Sequence, residues 1–387
     1  MLVVTMNLYM GLFGAKKHET ILVIEITSGG VVGAFFIREK GEKPTILDTV
    51  RRDFLPREQF DPNRLREDMV NALAQVSQQL KKLFHARTDF IYVVLNSPWS
   101  HSEISGVLYE NKRDFKFTEK FGMKLLAAEK NKLNKKDENL SLIDSRTLEV
   151  LLNGYSSPQP NGKLCRTAEL RCLFSFASQD TLNLVRDSLH RFWKSKVIFT
   201  SSILSDYTVA RDLMPASHGV LLINVSSEVT EVTMSHGGQL TGTATFPFGE
   251  STFLRESAKA LRKSVIETGS LFSLVRSKSL KEEDYIKSET AFNLSREKWQ
   301  TLLKEILVEL NPARRIPHEV CFSSNSRVSE FLCSGFQSSF FPEFTTTDEG
   351  FNAILINMNI LHDLCHWRDG VNRDPRIAMI TFFISRS

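Results

Sequence analysis

The segment Gly219–Gly238, GVLLINVSSEVTEVTMSHGG, constrains the fold more than any other, because it has a gapless echo far upstream. Leu22-Val23-Ile24-Glu25-Ile26-Thr27-Ser28 lies on Leu221-Leu222-Ile223-Asn224-Val225-Ser226-Ser227. In each, an apolar run ends on a carboxylate or amide, then an apolar residue, then two small hydroxyl residues. Each run enters a polar turn and a second apolar run follows, which is the pattern of a buried strand, a tight turn and a return strand. Two α/β halves that both open on such a hairpin imply pseudo-symmetric domains facing each other across a cleft. The alternative is chance similarity between two buried strands.

The rest of the chain fits two halves with an insertion. Asp61-Pro62 offers an N-cap with proline at the first helical position, and Leu65, Met69, Leu73, Val76 and Leu80 follow at helical spacing. FIYVVL (90–95) reads as a buried strand. Between Trp99 and Ser178 the texture changes to short strands around a helix capped by Thr118, a charged stretch at Glu129–Asn139 that reads as a solvated loop, and the turn-rich NGYSSPQPNG. The expected organisation is a tail (1–17), a first lobe (18–98 and 179–216), an inserted subdomain (99–178) and a second lobe (217–371) with a helical or polar insertion near 256–311. PRIAMITFFIS reads as a closing strand within 372–387 that returns to the first lobe. SKSLKEEDYIKSET reads as a polar connector.

Composition and short motifs narrow the reading. A net charge of +4 over 387 residues does not by itself imply a nucleic-acid partner. Five cysteines without paired spacing argue for a reducing compartment. His362-x-x-Cys365-His366 lacks a second ligand cluster, so a packed helix end is expected there rather than zinc. The N-terminal MLVVTMNLYMGLFGAKKHE is a poor signal peptide and too short to span a bilayer. Met6 and Met10 are alternative starts. Lys16 and Lys17 behind the apolar run leave a weak interfacial anchor as the alternative to a frayed tail.

The hairpins, the strand–turn–helix pattern at 320–331 and the insertion together resemble the actin-like ATPases, and in particular the branch of the bacterial cell-division protein FtsA and the pilus-assembly protein PilM. Glu25-Ile26-Thr27-Ser28 stands where that family has Asp-apolar-Gly-Thr/Ser. The run from Asn224 to Glu231 stands where it has Asp-apolar-Gly-Gly-Gly-Thr-Thr-Asp, and Ser324-Asn325 stands at the Gly-Gly pair of the adenosine motif. The resemblance implies an α/β, two-lobed actin-like (ribonuclease H-like) fold with a small inserted α+β subdomain. It implies a site for ATP with Mg²⁺ built from Glu25, Thr27, Ser28, Gly29, Asn224, Ser226, Ser227, Glu228, Thr230, Ser324 and Asn325, with Glu25 reaching the metal through bound water. No catalytic residue is identified.

The departures fall on that chemistry. Glu25 is one methylene longer than aspartate, Asn224 lacks a carboxylate, and Thr27, Ser226 and Ser227 place Cβ atoms where glycines let backbone N–H groups reach phosphate. A Glu228 carboxylate about 4 Å from a phosphate oxygen would cost about 4 kcal/mol at an effective dielectric near 20. The expectation is a scaffold with a degenerate nucleotide site, no working cofactor and no enzymatic role. It would act at a cytoplasmic membrane-associated machine, for cell division or type IV pilus assembly, peripheral to the inner face of the membrane. Its partners would be a division-ring tubulin homologue or the tail of an inner-membrane pilus protein, with possible self-association, indirect or weak membrane contact and no nucleic acid. NGYSSPQPNG is the expected partner contact, or merely a turn. The alternative is an active, ATP-binding, polymerising FtsA-like ATPase. A sugar kinase fits poorly, because no Gly-rich phosphate turn is present. Glu25 and Glu231 are alternatively strand-end carboxylates facing solvent.

Overall fold

The computed structural model describes residues 18–85, 87–134, 137, 139–214, 219–311, 316–324, 326–337, 341, 344 and 350–386. The expected tail, Asn325 and residues 215–218 of the expected interlobe boundary lie outside these.

Strands β1 (Glu19–Ile26), β2 (Gly30–Arg38) and β3 (Thr45–Asp53) form a meander. Helix α1 (Pro62–Leu83) then leads to β4 (Phe90–Leu95), which pairs parallel to β1. The Asp61 carboxylate caps α1 by accepting from the Asn63 and Arg64 amides. The insertion follows: β5 (Ser100–Lys116), α2 (Glu119–Asn134), β6 (Leu140–Leu152), β7 (Tyr155–Ser156) and β8 (Leu164–Ser178). The first lobe resumes with α3 (Gln179–His190), β9 (Lys196–Ser201) and α4 (Ser202–Leu213).

The second lobe repeats the plan. β10 (Val220–Val225), β11 (Thr230–His236) and β12 (Gln239–Phe246) form its meander. α5 (Glu250–Leu261), α6 (Val265–Arg276) and α7 (Glu282–Leu310) lead to β13 (Glu319–Phe322), parallel to β10, then to α8 (Ser329–Cys333) and β14 (Asn352–Leu355). β15 (His366–Trp367) and α9 (Pro375–Ser385) close the described chain.

The two main sheets run β15-β3-β2-β1-β4-β9 and β12-β11-β10-β13-β14, so five strands recur in the same order. The turn repeats as well: the Thr27 and Ser226 amides donate to the Gly30 and Val229 carbonyls, at matching positions. The near-continuous apolar runs of β1 and β10 follow from burial on both faces. Leu22, Ile24 and Ile26 pack with α1 and α3, while Ile21 and Val23 turn the other way. Leu221, Ile223 and Val225 pack with α5 to α7, while Val220 and Leu222 share a central core with Ile21, Val23 and the side chains of α4 and α9. Those two helices form the layer between the lobes.

Several expectations are corrected. PRIAMITFFIS is helix α9, not a closing strand: Asp374 caps it and Pro375 occupies its first turn. Its continuous apolar run reflects a helix buried nearly all round, a pattern that a short run does not distinguish from a strand. The second lobe ends before 371, because β15 pairs with β3 and extends the first lobe's sheet. Helix α2 continues to Asn134, through much of the expected charged loop, and α7 begins inside the expected polar connector. The short strands expected ahead of the helix capped by Thr118 are one bulged strand, β5. His366 lies in β15 and not at a helix end, and no metal-binding cluster occurs among the described residues. All five cysteines are buried and unpaired. No helix among the described residues is long and apolar enough to cross a membrane.

Candidate functional site

The strand order brings the two hairpin turns face to face, and they touch. Ser226 Oγ donates to the Val229 carbonyl at 2.8 Å. That leaves Ser28 to donate to Ser226, with the two oxygens 2.7 Å apart. Ser28 Oγ in turn accepts from the Glu228 amide at 2.8 Å. A Cβ added at Gly29 would lie 3.0 Å from Ser227 Cβ. Thr27 stays within its own turn, donating to the Gly30 carbonyl and accepting from the Gly29 amide.

The backbone donors nearby are equally committed. Amides at a helix N-terminus are a natural anion site. Here the first amides of α5 are taken by the turn itself: Glu250 N–H donates to the Ser226 carbonyl at 2.9 Å and Ser251 N–H to the Ser227 carbonyl at 2.7 Å. Gly249 permits this close approach, since a Cβ there would fall 2.4 and 2.5 Å from those carbonyl oxygens. Ser227 Oγ pairs with Ser251 Oγ at 2.6 Å.

From sequence, the Glu228 carboxylate is expected to repel a phosphate. The structure corrects this, because Arg255 from α5 holds the carboxylate at 3.1 and 2.5 Å. Thr230 is a core residue: fully buried, it donates to the Phe248 carbonyl at 2.5 Å and accepts from Trp299 Nε1 at 3.0 Å. Ser324 donates to the Val225 carbonyl and accepts from the Ser326 amide at 2.9 Å.

Beneath the turns lies a charged cluster that sequence reasoning missed. Arg376, in the first turn of α9 and 4% exposed, donates to Glu25 Oε1 from Nε at 2.8 Å and from Nη2 at 2.6 Å. Its Nη1 donates to Asp206 Oδ1 at 2.6 Å and to the Ser323 carbonyl at 2.9 Å. One guanidinium therefore joins β1 of the first lobe, α4 and the end of β13 in the second. Burial pulls the Arg376 pKa down, but Asp206 and Glu25 more than offset it and hold the group charged. Asn224 Nδ2 reaches Asp206 Oδ2 at 3.4 Å. Asp374 caps α9 and receives Arg51 of β3, which fixes the helix that carries Arg376.

Glu25 is thus not solvent-facing. It is fully buried, and one oxygen accepts from Arg376 and from Asn96 Nδ2 at 2.8 Å, leaving Oε2 without a protein partner. That lone oxygen beside a guanidinium is a poor seat for a divalent cation, which seeks several oxygen ligands. The two turns touch, the Glu250 and Ser251 amides of α5 are committed to the Ser226 and Ser227 carbonyls, and one guanidinium stands between the Glu25 and Asp206 carboxylates.

Glu231, on β11, is also buried in the cleft, and accepts from Ser97 at 3.0 Å and Ser202 at 3.4 Å across the lobe junction. Burial first, and then the nearby Asp206 charge, pushes its pKa from the ordinary 4.5 up to about 7. Between those values the native protein holds a proton that the unfolded chain has released. Stability is therefore greatest below that window and falls as pH rises through it, by about 3 kcal/mol. Glu231→Gln removes this slope: urea unfolding should find the variant more stable than wild type at pH 8 and the two converging near pH 5.

Twin lobes of identical strand order around helices α4 and α9, with an inserted subdomain, define a two-lobed actin-like fold. No protein-family model matches the chain and no curated protein matches its sequence. Among solved structures it is similar to a chain of the "PilM-PilN type IV pilus biogenesis complex", with a TM-score of 0.61 and 12% identity over 94% of this chain and 97% of that one. A protein of actin-like ATPase fold and unknown function from Bacteroides thetaiotaomicron matches at TM-score 0.42 and 11% identity, over 89% and 95% of the two chains. The ethanolamine utilization protein EutJ from Carboxydothermus hydrogenoformans matches at 0.41 and 8%, over 96% and 90%.

Proposed function

We propose that the chain is an actin-like scaffold with a degenerate nucleotide site, acting through protein partners in a cytoplasmic, membrane-associated assembly of the type IV pilus kind. The observation that carries this reading is the closed cleft, in which Arg376 stands between Glu25 and Asp206 while Ser28 and Ser226 bond across the lobes. In this chain a side chain of its own supplies the cation and joins the lobes, so the two-lobed body serves as a rigid platform. The pilus assignment draws support from the likeness in fold to a protein solved in complex with PilN. By that analogy the partner is the cytoplasmic tail of an inner-membrane pilus protein.

Calorimetric titration with millimolar MgATP is expected to give no saturable heat. A micromolar Kd would contradict the proposal. Glu228→Gly is not expected to create affinity, because Arg255 and not phosphate is that carboxylate's neighbour. A synthetic tail peptide from an inner-membrane pilus protein should bind the full chain saturably without ATP.

A further inference from the structure

The distal tip of the inserted subdomain gathers exposed basic side chains. Its sheet runs β5-β8-β6-β7, and one face is covered by α2, whose Phe121, Leu125 and Leu126 pack on Leu170, Phe174 and Phe176. At the far end, Lys116 pairs in register with Leu164, and Gly162 lies beside the Lys116 side chain. The Asn153 carboxamide accepts from the Arg166 and Thr167 amides, which ties the β6–β7 turn to the start of β8. Asn161 accepts from the Glu119 amide, which brings the first turn of α2 to the same end.

Residues 110–120 and 153–167, joined in this way, hold six basic side chains (Lys112, Arg113, Lys116, Lys120, Lys163 and Arg166) against three acidic ones (Glu110, Asp114 and Glu119). That surplus of three accounts for most of the +4 carried by all 387 residues. All six are exposed, and among the described residues only Arg166 is ion-paired, to Asp114 at 2.8 Å. Two large apolar side chains stand out from the same tip, Tyr155 at 79% exposure and Leu164 at 68%. The turn at this end stands clear of the rest of the chain: Asn153 and Gly154 are left-handed, and a Cβ at Gly154 would meet nothing within 4 Å.

We propose that this tip docks on an anionic lipid surface. Its exposed basic side chains would sit at the headgroups, and Tyr155 and Leu164 would enter the interface. Basic residues close to an anionic leaflet add up in membrane affinity, and tyrosine favours the headgroup level. An acidic peptide would be better served by a groove that could line it on two sides, whereas a projecting hairpin end suits a flat, negatively charged plane. The tip lies at the far end of the insertion, away from the interlobe cleft, so this role does not depend on the state of that cleft.

Co-sedimentation of the full chain with phosphatidylglycerol–phosphatidylcholine vesicles tests the proposal. Binding is expected on the anionic vesicles, with release in about 0.5 M salt as screening sets in. The variant Lys112→Gln/Arg113→Gln/Lys116→Gln/Lys163→Gln should lose on the order of a hundredfold or more in partitioning. Because those four side chains are exposed, its circular dichroism and melting should match wild type. Tyr155→Ser/Leu164→Ser should weaken binding while keeping its salt dependence. Failure of the wild type to sediment, equal binding to pure phosphatidylcholine, or undiminished binding by the four-site variant would each overturn it. So would capture of poly-glutamate by a tip that ignores the vesicles.

Discussion

Arg376→Ala is expected to destabilise the protein by about 3–5 kcal/mol, the cost of leaving buried charges without their partner. Arg376 supplies four hydrogen bonds, at 2.6 to 2.9 Å, to Glu25, Asp206 and the Ser323 carbonyl. Its removal strands two carboxylates in a site with almost no water contact. The loss should appear as a lower urea midpoint by far-ultraviolet circular dichroism. Adding Glu25→Gln and Asp206→Asn to Arg376→Ala should restore much of the stability, because neutral amides carry no uncompensated charge. If the arginine were merely a packed aliphatic stem, the added substitutions would only deepen the loss. Arg376→Lys should fall between, since a single ammonium cannot reproduce the planar fork that serves both lobes.

A loss of similar size is expected for Trp299→Ala. Trp299 is fully buried among Phe246, Phe322 and Phe336, and its indole N–H is donated to Thr230 Oγ1. Truncation removes a large apolar surface and leaves a cavity, at a cost of about 3–5 kcal/mol. Trp299→Phe keeps most of that contact and forfeits the hydrogen bond, for a cost of about 1 kcal/mol. The pair of variants separates packing from the polar anchor. The result bears on the second hairpin directly, because Thr230 begins its return strand and is held in place by this contact and by the Phe248 carbonyl.

The parts of the fold legible in the sequence are those dictated by local pattern. The hairpin echo could be read because each copy is a short apolar run, a polar turn and a return run, and in the structure the two sheets share one strand order. Asp61-Pro62 announced α1 through the fixed backbone angle of proline and a capping carboxylate. The same signal stands at Asp374-Pro375 and marks α9, but the apolar run behind it has no polar face to reveal a helical period. Glu282, Glu283 and Asp284 crowd the first turn of α7, where acidic side chains favour a helix N-terminus, yet polarity alone suggested a connector.

At the site, the sequence identified the residues of the two turns, but not what those residues contact. The partners of Glu25 and Glu228 are the reason. Arg255 lies on the helix that follows its hairpin and Arg376 near the end of the chain, and neither occupies a position that local periodicity singles out. A carboxylate at a strand end looks the same in sequence whether it faces solvent, a metal or a guanidinium. Only the tertiary arrangement chooses among them, through burial and the arrival of α9 between the lobes.

The most direct measurement is a crystal structure of the protein grown in excess Mg²⁺ and a non-hydrolysable ATP analogue. Continuous density for Arg376 between Glu25 and Asp206, with Ser28 in contact with Ser226, is the expected result. An ordered triphosphate between the two turns, with the Arg376 side chain displaced from the carboxylates, would contradict it.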